Sequence, residues 1–273
     1  MMKALHVATV LLFLATLVLF GWSYTQEQSR KDYTYPTIEI DSEILDISIH
    51  DTKEYLLQGV TAYDEKDGDL TSKIIVESMS KFTKDQTCIV TYAVVDSDMH
   101  VVKNSRIIRY TDYVEPTFYM KRPLIFQVDE KVNIREVVGA VDCIEGDISD
   151  KITILASDYT GNTAGVFSLS LQATNNLGDI IYLDVPIYVE EKNTRAPVIE
   201  LSEYLIYLDI GDRPEFENYI SSVSSNSSAS ENYNMLISSN VDYNTPGIYA
   251  VHYYAENVSG HTGHAVLTVI VRG

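Results

Sequence analysis

Basic residues, cysteine and tryptophan are what this 273-residue chain is short of. Twenty Lys and Arg stand against 39 Asp and Glu, a net charge of −19, and no basic block occurs anywhere. Non-specific binding to DNA or RNA depends on neutralising phosphates with Lys and Arg, so no nucleic-acid partner is expected. Adhesion to an anionic lipid surface is disfavoured on the same electrostatic ground. The common catalytic signatures are missing too: there is no G-x-S-x-G, no P-loop and no H-E-x-x-H. The one tryptophan, Trp22, lies in an apolar segment, so a glycan-binding face has to be built from tyrosines. Helical periodicity is absent beyond that segment. What remains is a folding sequence, 45% hydrophobic and long enough for two or three small domains.

One long apolar run exists, residues 4–22 (ALHVATVLLFLATLVLFGW), preceded by Lys3 and containing no Asp, Glu, Lys or Arg. Its length is at the short end for a membrane span. The expectation is a retained signal anchor over residues 1–23 and a linker over 24–35, with cleavage after Ser23 as the alternative. The first reading places the protein in the cell membrane, single-pass through residues 4–22, with the downstream part extracellular. The second reading secretes it.

Self-similarity organises the rest. Pro36, Pro116 and Pro197 each lead a short alternating apolar run (PTIEI, PTFYM, PVIEL), 80 and 81 residues apart. AYDEKDGDLTSKI from Ala62 aligns with AVDCIEGDISDKI from Ala140 under the pattern A-x-D-x-x-[DE]-G-D-[LI]-[ST]-x-K-I. Late in each copy a β-branched and aromatic run begins, at Gln86, Gly165 and Gly247, and ends in a turn cluster. A final strand follows: VVKNSRIIRY, IIYLDVPIYV and HAVLTVIV. Short strands at this spacing indicate an all-β protein of tandem sandwiches, preceded by one transmembrane or signal helix. The domains read as 36–114, 115–195 and a divergent 196–273, which has SSVSSNSSAS at 221–230 in place of the middle motif.

These motifs resemble the bacterial Ig-like domains of the pesticidal-crystal-protein type, which are repeated on cell surfaces. Ala62, Asp64, Asp67, Gly68, Asp69, Leu70 and Thr71 match the middle motif of that family, and Ala140, Asp142, Gly146, Asp147 and Ser149 match it with drift. Gly247, Tyr249, Val251, Tyr253, Ala255 and Gly260 keep its late motif. In such a sandwich the middle motif and the loop between the last two strands share one end. The resemblance therefore implies that Asp64, Glu65, Asp67 and Asp69 lie near Asp96 and Asp98. It groups Asp142, Glu145 and Asp147 with Asn175, Asn176 and Asp179, and brings the linker residues Asp112 and Glu115 to the same place.

Three readings of the acidic motif compete: a metal site, a catalytic cluster and a plain turn. An EF-hand fails: with Gly68 at position 6, Ile74 falls where a bidentate Glu is required. A calcium site built from several loops would use Asp64, Asp67, Asp69, Asp96, Asp142, Glu145 and Asp147, hard oxygen ligands of the kind calcium accepts. A glycosidase would need a working carboxylate pair, and each repeat would then have to be explained as an active site. The expectation is the third reading, a turn without cofactor, because Asp and Gly are the default turn formers.

Cys88 is expected as a buried thiol in a strand and Cys143 as an exposed one, since neither repeat contains a pair to bridge. His261 and His264, in HTGH, show only two of the ligands that zinc needs, so a turn is expected there. The twenty tyrosines are expected in core and cross-strand packing more than on adhesive surfaces. With Gly273 directly after the last strand, no catalytic module is expected downstream. The expected function is non-enzymatic: adhesion, recognition or a structural role at the cell envelope, with an envelope protein or glycan as partner. The alternative is a glycan-binding accessory of a carbohydrate-active system.

Overall fold

The computed structural model describes residues 2–28, 33–83, 86–224 and 232–273. The apolar segment is helical over Met2–Gln28, five residues beyond the expected limit at residue 23. Among the described residues, no helix is long and apolar enough to cross a membrane. Residues 29–32 of the expected linker and 225–230 of the serine run lie outside the described residues.

Among the described residues the strands form three pairs of sheets, and the four-stranded sheet has one strand order in all three. The first copy holds β1 (Thr37–Ile40), β2 (Ile44–Ile47), β3 (Val60–Asp64), β4 (Gly68–Asp69), β5 (Ile75–Met79), β6 (Thr87–Val95) and β7 (Val101–Tyr110). Its sheets run β1-β3-β4 and β2-β7-β6-β5, with β2 parallel to β7. The second holds β8 (Thr117–Met120), β9 (Ile125–Gln127), β10 (Val138–Asp142), β11 (Gly146–Asp147), β12 (Thr153–Ser157), β13 (Gly165–Thr174) and β14 (Ile180–Glu190). Its sheets run β8-β10-β11 and β9-β14-β13-β12, with β9 parallel to β14. The third holds β15 (Val198–Leu201), β16 (Leu205–Asp209), β17 (Ile220–Ser224), β18 (Asn234–Ser239), β19 (Gly247–Glu256) and β20 (Thr262–Arg272). Its sheets run β15-β17 and β16-β20-β19-β18, with β16 parallel to β20.

Alternation in the sequence puts one face of each strand inward. Leu169, Leu171 and Ala173 of β13 enter the second core, with Leu183, Val185 and Ile187 of β14 opposite. Burying each of the Leu, Val and Ile side chains contributes roughly 1.5–3 kcal/mol. In the first and third copies a tyrosine takes the central inward position, and its hydroxyl finds a carbonyl. Tyr92 donates to Leu56 O (2.6 Å) and Tyr253 to Phe216 O (2.9 Å).

Ser221, Ser222 and Ser224 belong to β17, which pairs with β15 as β3 pairs with β1. They are strand residues in the place of β3, whose last three residues, Ala62 to Asp64, open the acidic motif in the first copy.

The chain divides into two compact units, 1–112 and 113–273, so the second and third sandwiches belong together. Leu205 of β16 is buried in the core of the second sandwich, and Tyr204, Tyr207 and Ile270 pack on that core. The Tyr207 hydroxyl accepts from Phe118 N (2.9 Å) and donates to Phe118 O (3.1 Å).

Candidate functional site

The acidic turns were the sequence's main site candidate, and both copies are built alike. In the first, β3 ends at Asp64, whose Oδ1 accepts from Lys66 N and Asp67 N, each at 2.9 Å. Gly68 then takes φ +76°, a left-handed conformation that disfavours other residues, and the chain returns to pair with β3. Asp69 Oδ1 accepts from Thr71 N (2.9 Å), and the Thr71 hydroxyl accepts from Ala62 N (3.1 Å). Leu70 and Ile74 drop into the core. Asp67 reaches across to the loop between the last two strands, accepting from Ser97 N (2.6 Å) and Ser97 Oγ (2.8 Å). Lys66 pairs with Asp98.

The second copy repeats these steps except the Lys66–Asp98 pair, since Ile144 stands in the place of Lys66. Asp142 Oδ1 accepts from Ile144 N (2.9 Å) and Glu145 N (2.8 Å), and Gly146 takes φ +76°. Asp147 Oδ1 accepts from Ser149 N (2.9 Å), and the Ser149 hydroxyl accepts from Ala140 N (3.1 Å). Glu145 accepts from Asn176 N (2.5 Å) and pairs with Lys151. Apart from the lysine, the shared positions of the motif thus have one structural task in both copies.

These bonds set the electrostatics. Hydrogen bonds from Ser97 hold the Asp67 carboxyl below its ordinary range; those from Thr71 do so for Asp69, and those from Ser149 for Asp147. Burial pushes Asp96 up, but hydrogen bonds from the His100 backbone and ring outweigh it and the net direction is down. Among the described residues, no group of three or more His, Cys, Asp or Glu could hold a metal ion.

The fold brings together the loops that the resemblance paired, with two changes. Asp112 does not join the second acidic turn. It accepts from Ser48 Oγ (2.6 Å) and Ile49 N (2.8 Å) in the first sandwich. Tyr113 fills that place instead, donating to Asp179 Oδ2 (2.6 Å) and accepting from Asn175 Nδ2 (2.7 Å). Burial and the neighbouring Asp179 raise its phenol well above the ordinary value.

Cys88 is a fully buried thiol, pushed up to about 11 by desolvation, and Cys143 is exposed. The HTGH segment departs from expectation. His261 ends a turn, but His264 lies within β20, where Glu190 of β14 meets its Nδ1 at 2.5 Å and His252 Nδ1 meets its Nε2 at 3.0 Å. Tyr254 stacks on His264 at 4.6 Å, and Tyr188 meets His252 edge-on at 5.3 Å. This cluster was invisible in the sequence, because Glu190 and His264 are 74 residues apart. The one sequence signal was the i, i+2 pair of His252 and Tyr254 on a strand, which must share a face.

The sheets define a protein of tandem β-sandwich repeats. No family model matches it. It is similar to an uncharacterized 81.3 kDa protein of Acholeplasma phage L2, 27% identical over 140 residues. That match covers 48% of this chain and 18% of the relative, so the chain spans less than a fifth of that protein's length. Drosophila N-cadherin EC1-3 aligns at 13% identity and a TM-score of 0.31, over 85% of this chain and 98% of that one. The M60 catalytic domain with the CBM51-1 and CBM51-2 domains of Clostridium perfringens ZmpB aligns at 11% identity and a TM-score of 0.28. That alignment covers 87% of this chain and 43% of the other. The sandwich assignment rests on the sheets themselves.

Proposed function

We propose that the chain is a non-enzymatic, exported Ig-like repeat protein that serves adhesion or recognition at the cell envelope. The reading that its repeats are of the pesticidal-crystal-protein type belongs to this proposal. The observation that supports it is the identical use of the acidic motif in two copies. Asp64, Asp67 and Asp69, like Asp142, Glu145 and Asp147, accept hydrogen bonds that close the same turn and tie it to the same loop. A motif that builds the scaffold leaves recognition to the surfaces where the copies differ. Attachment to the membrane through residues 4–22 rests on the apolar sequence and is part of the proposal.

A glycan ligand is the second reading. A shallow cleft of about 410 Å³ in the second unit is lined by Tyr182, Tyr207 and Arg272. The Arg272 guanidinium covers the Tyr207 ring at 4.0 Å, which leaves Tyr182 as its exposed aromatic platform. One platform suits weak sugar stacking, so the protein partner is preferred.

Saturable binding of the purified chain to envelope fractions, measured before and after protease treatment of those fractions, tests the choice. Loss of binding after protease supports a protein partner. Binding that survives protease and is competed by free glycan transfers the function to the second reading. Absence of saturable binding removes both.

A further inference from the structure

The junction between the second and third sandwiches has two dissimilar ends along β14. Near its start, Ile181, Tyr207 and Ile270 pack on the second core beside the Tyr207–Phe118 hydrogen bonds. Near its end stand Tyr188 and Glu190, facing His252 and Tyr254 of β19 and His264 of β20. Ile181 and Tyr188 are seven residues apart, which separates the two patches by roughly 23 Å of extended strand. The first patch has no group that changes charge near neutrality. The second has two imidazoles in direct contact.

We propose that Glu190, His264 and His252 form an acid-labile latch, which holds the third sandwich against the end of β14 at neutral pH and releases it when the cluster must hold more than one extra proton. The carboxylate of Glu190 only accepts, so the neutral His264 ring carries its proton on Nδ1. Its Nε2 is then an acceptor, and His252 Nδ1 donates to it across 3.0 Å. One extra proton can be carried in line along this relay. A second cannot, because two N–H groups would then face each other at the same contact and two like charges would share one site.

The surroundings favour release over accommodation. His252 is boxed between the Tyr188 edge and the His264 ring, which Tyr254 and Tyr188 also meet. A cleft of about 390 Å³ carries solvent to Glu190 and His264, and Arg122, Glu130 and Glu191 also line it. Burial, with His264 beside it, lowers the pKa of His252 from its ordinary 6.5. A base depressed in the folded state stabilises the fold above its unfolded value and loses that contribution as pH falls below it. The latch therefore weakens from about pH 6.5 downward. Leu205 and the Tyr207 end keep their contacts, so only the far end of the junction opens.

Hydrogen exchange of the full chain at pH 7.5 and 5.5, corrected for the intrinsic pH dependence of exchange, tests this. Segments 186–191 and 262–266 are expected to lose protection severalfold at pH 5.5, while segment 117–120 keeps it. His252→Gln keeps a neutral hydrogen-bonding group, and His252→Phe keeps the ring packing; either folded variant is expected to abolish the pH response. His261→Gln, which alters the nearest other histidine in sequence, should leave it intact. Equal protection of the wild-type segments at both pH values overturns the latch. So does a pH response that persists in either folded His252 variant.

Discussion

Asn175 Nδ2 donates to Asp142 Oδ2 at 2.9 Å, joining the last loop of the second sandwich to its acidic turn. The first sandwich has Asp96 in the position of Asn175, since each side chain accepts from the backbone N–H four residues on, that of His100 or Asp179. Asp64, the counterpart of Asp142, is 2% exposed, and its Oδ2 has no hydrogen-bond partner among the described residues. The first sandwich thus has an acid where the second has an amide.

Asp96→Asn is expected to raise the melting temperature of the first sandwich. Its amide can donate to Asp64 and to the His100 ring, as Asn175 donates to Asp142 and Tyr113. The reverse change, Asn175→Asp, removes two donated bonds from a buried site and should destabilise the second unit by roughly 1–3 kcal/mol. Chemical denaturation of both variants checks the pair. Equal and like-signed shifts would show that the two turns are not equivalent.

Two glycines should fail for different reasons. A Cβ on Gly68 meets nothing within 4 Å, so Gly68→Ala pays only for its φ of +76°, about 1–2 kcal/mol, and Gly68→Asn costs less. A Cβ on Gly263 would stand 1.8 Å from the Pro197 carbonyl oxygen, which is backbone and cannot turn aside. Gly263→Ala should therefore cost more than Gly68→Ala, with Asn at 263 worse still. Denaturation midpoints of the four variants decide it.

Leu205 belongs by sequence to the third sandwich and by packing to the core of the second. Leu205→Ala should remove about 2–5 kcal/mol. Calorimetry of the wild type is expected to show two transitions, matching residues 1–112 and 113–273, and the variant should lower one of them as a whole. If residues 113–195 melt unchanged, the shared core is wrong.

The Cys88 thiol, buried and pushed up to about 11, reports on the first sandwich alone. Alkylation of Cys88 at pH 8 should proceed only as fast as that sandwich opens, and Asp96→Asn should slow it. Immediate modification in the native protein would contradict the burial.

By itself the sequence determined the sheet pattern, the three-fold repetition and the acidic turns. Each of these is local: alternation fixes which side chains share a face, and the turn closes through bonds spanning no more than nine residues, from Ala62 to Thr71. The helix also followed from its apolar run, though its end at Gln28 lay beyond the last apolar residue, because helix termini answer to backbone geometry more than to hydropathy. Tertiary structure decided the rest. Proline spacing implied three equal domains, yet Leu205 and the Tyr207–Phe118 bonds join two of them over 89 residues of chain. HTGH read as a turn because its acid, Glu190, arrives from another sandwich. Linear pattern carries the preferences of each strand and turn, but which strand ends meet across a junction depends on how two finished surfaces pack.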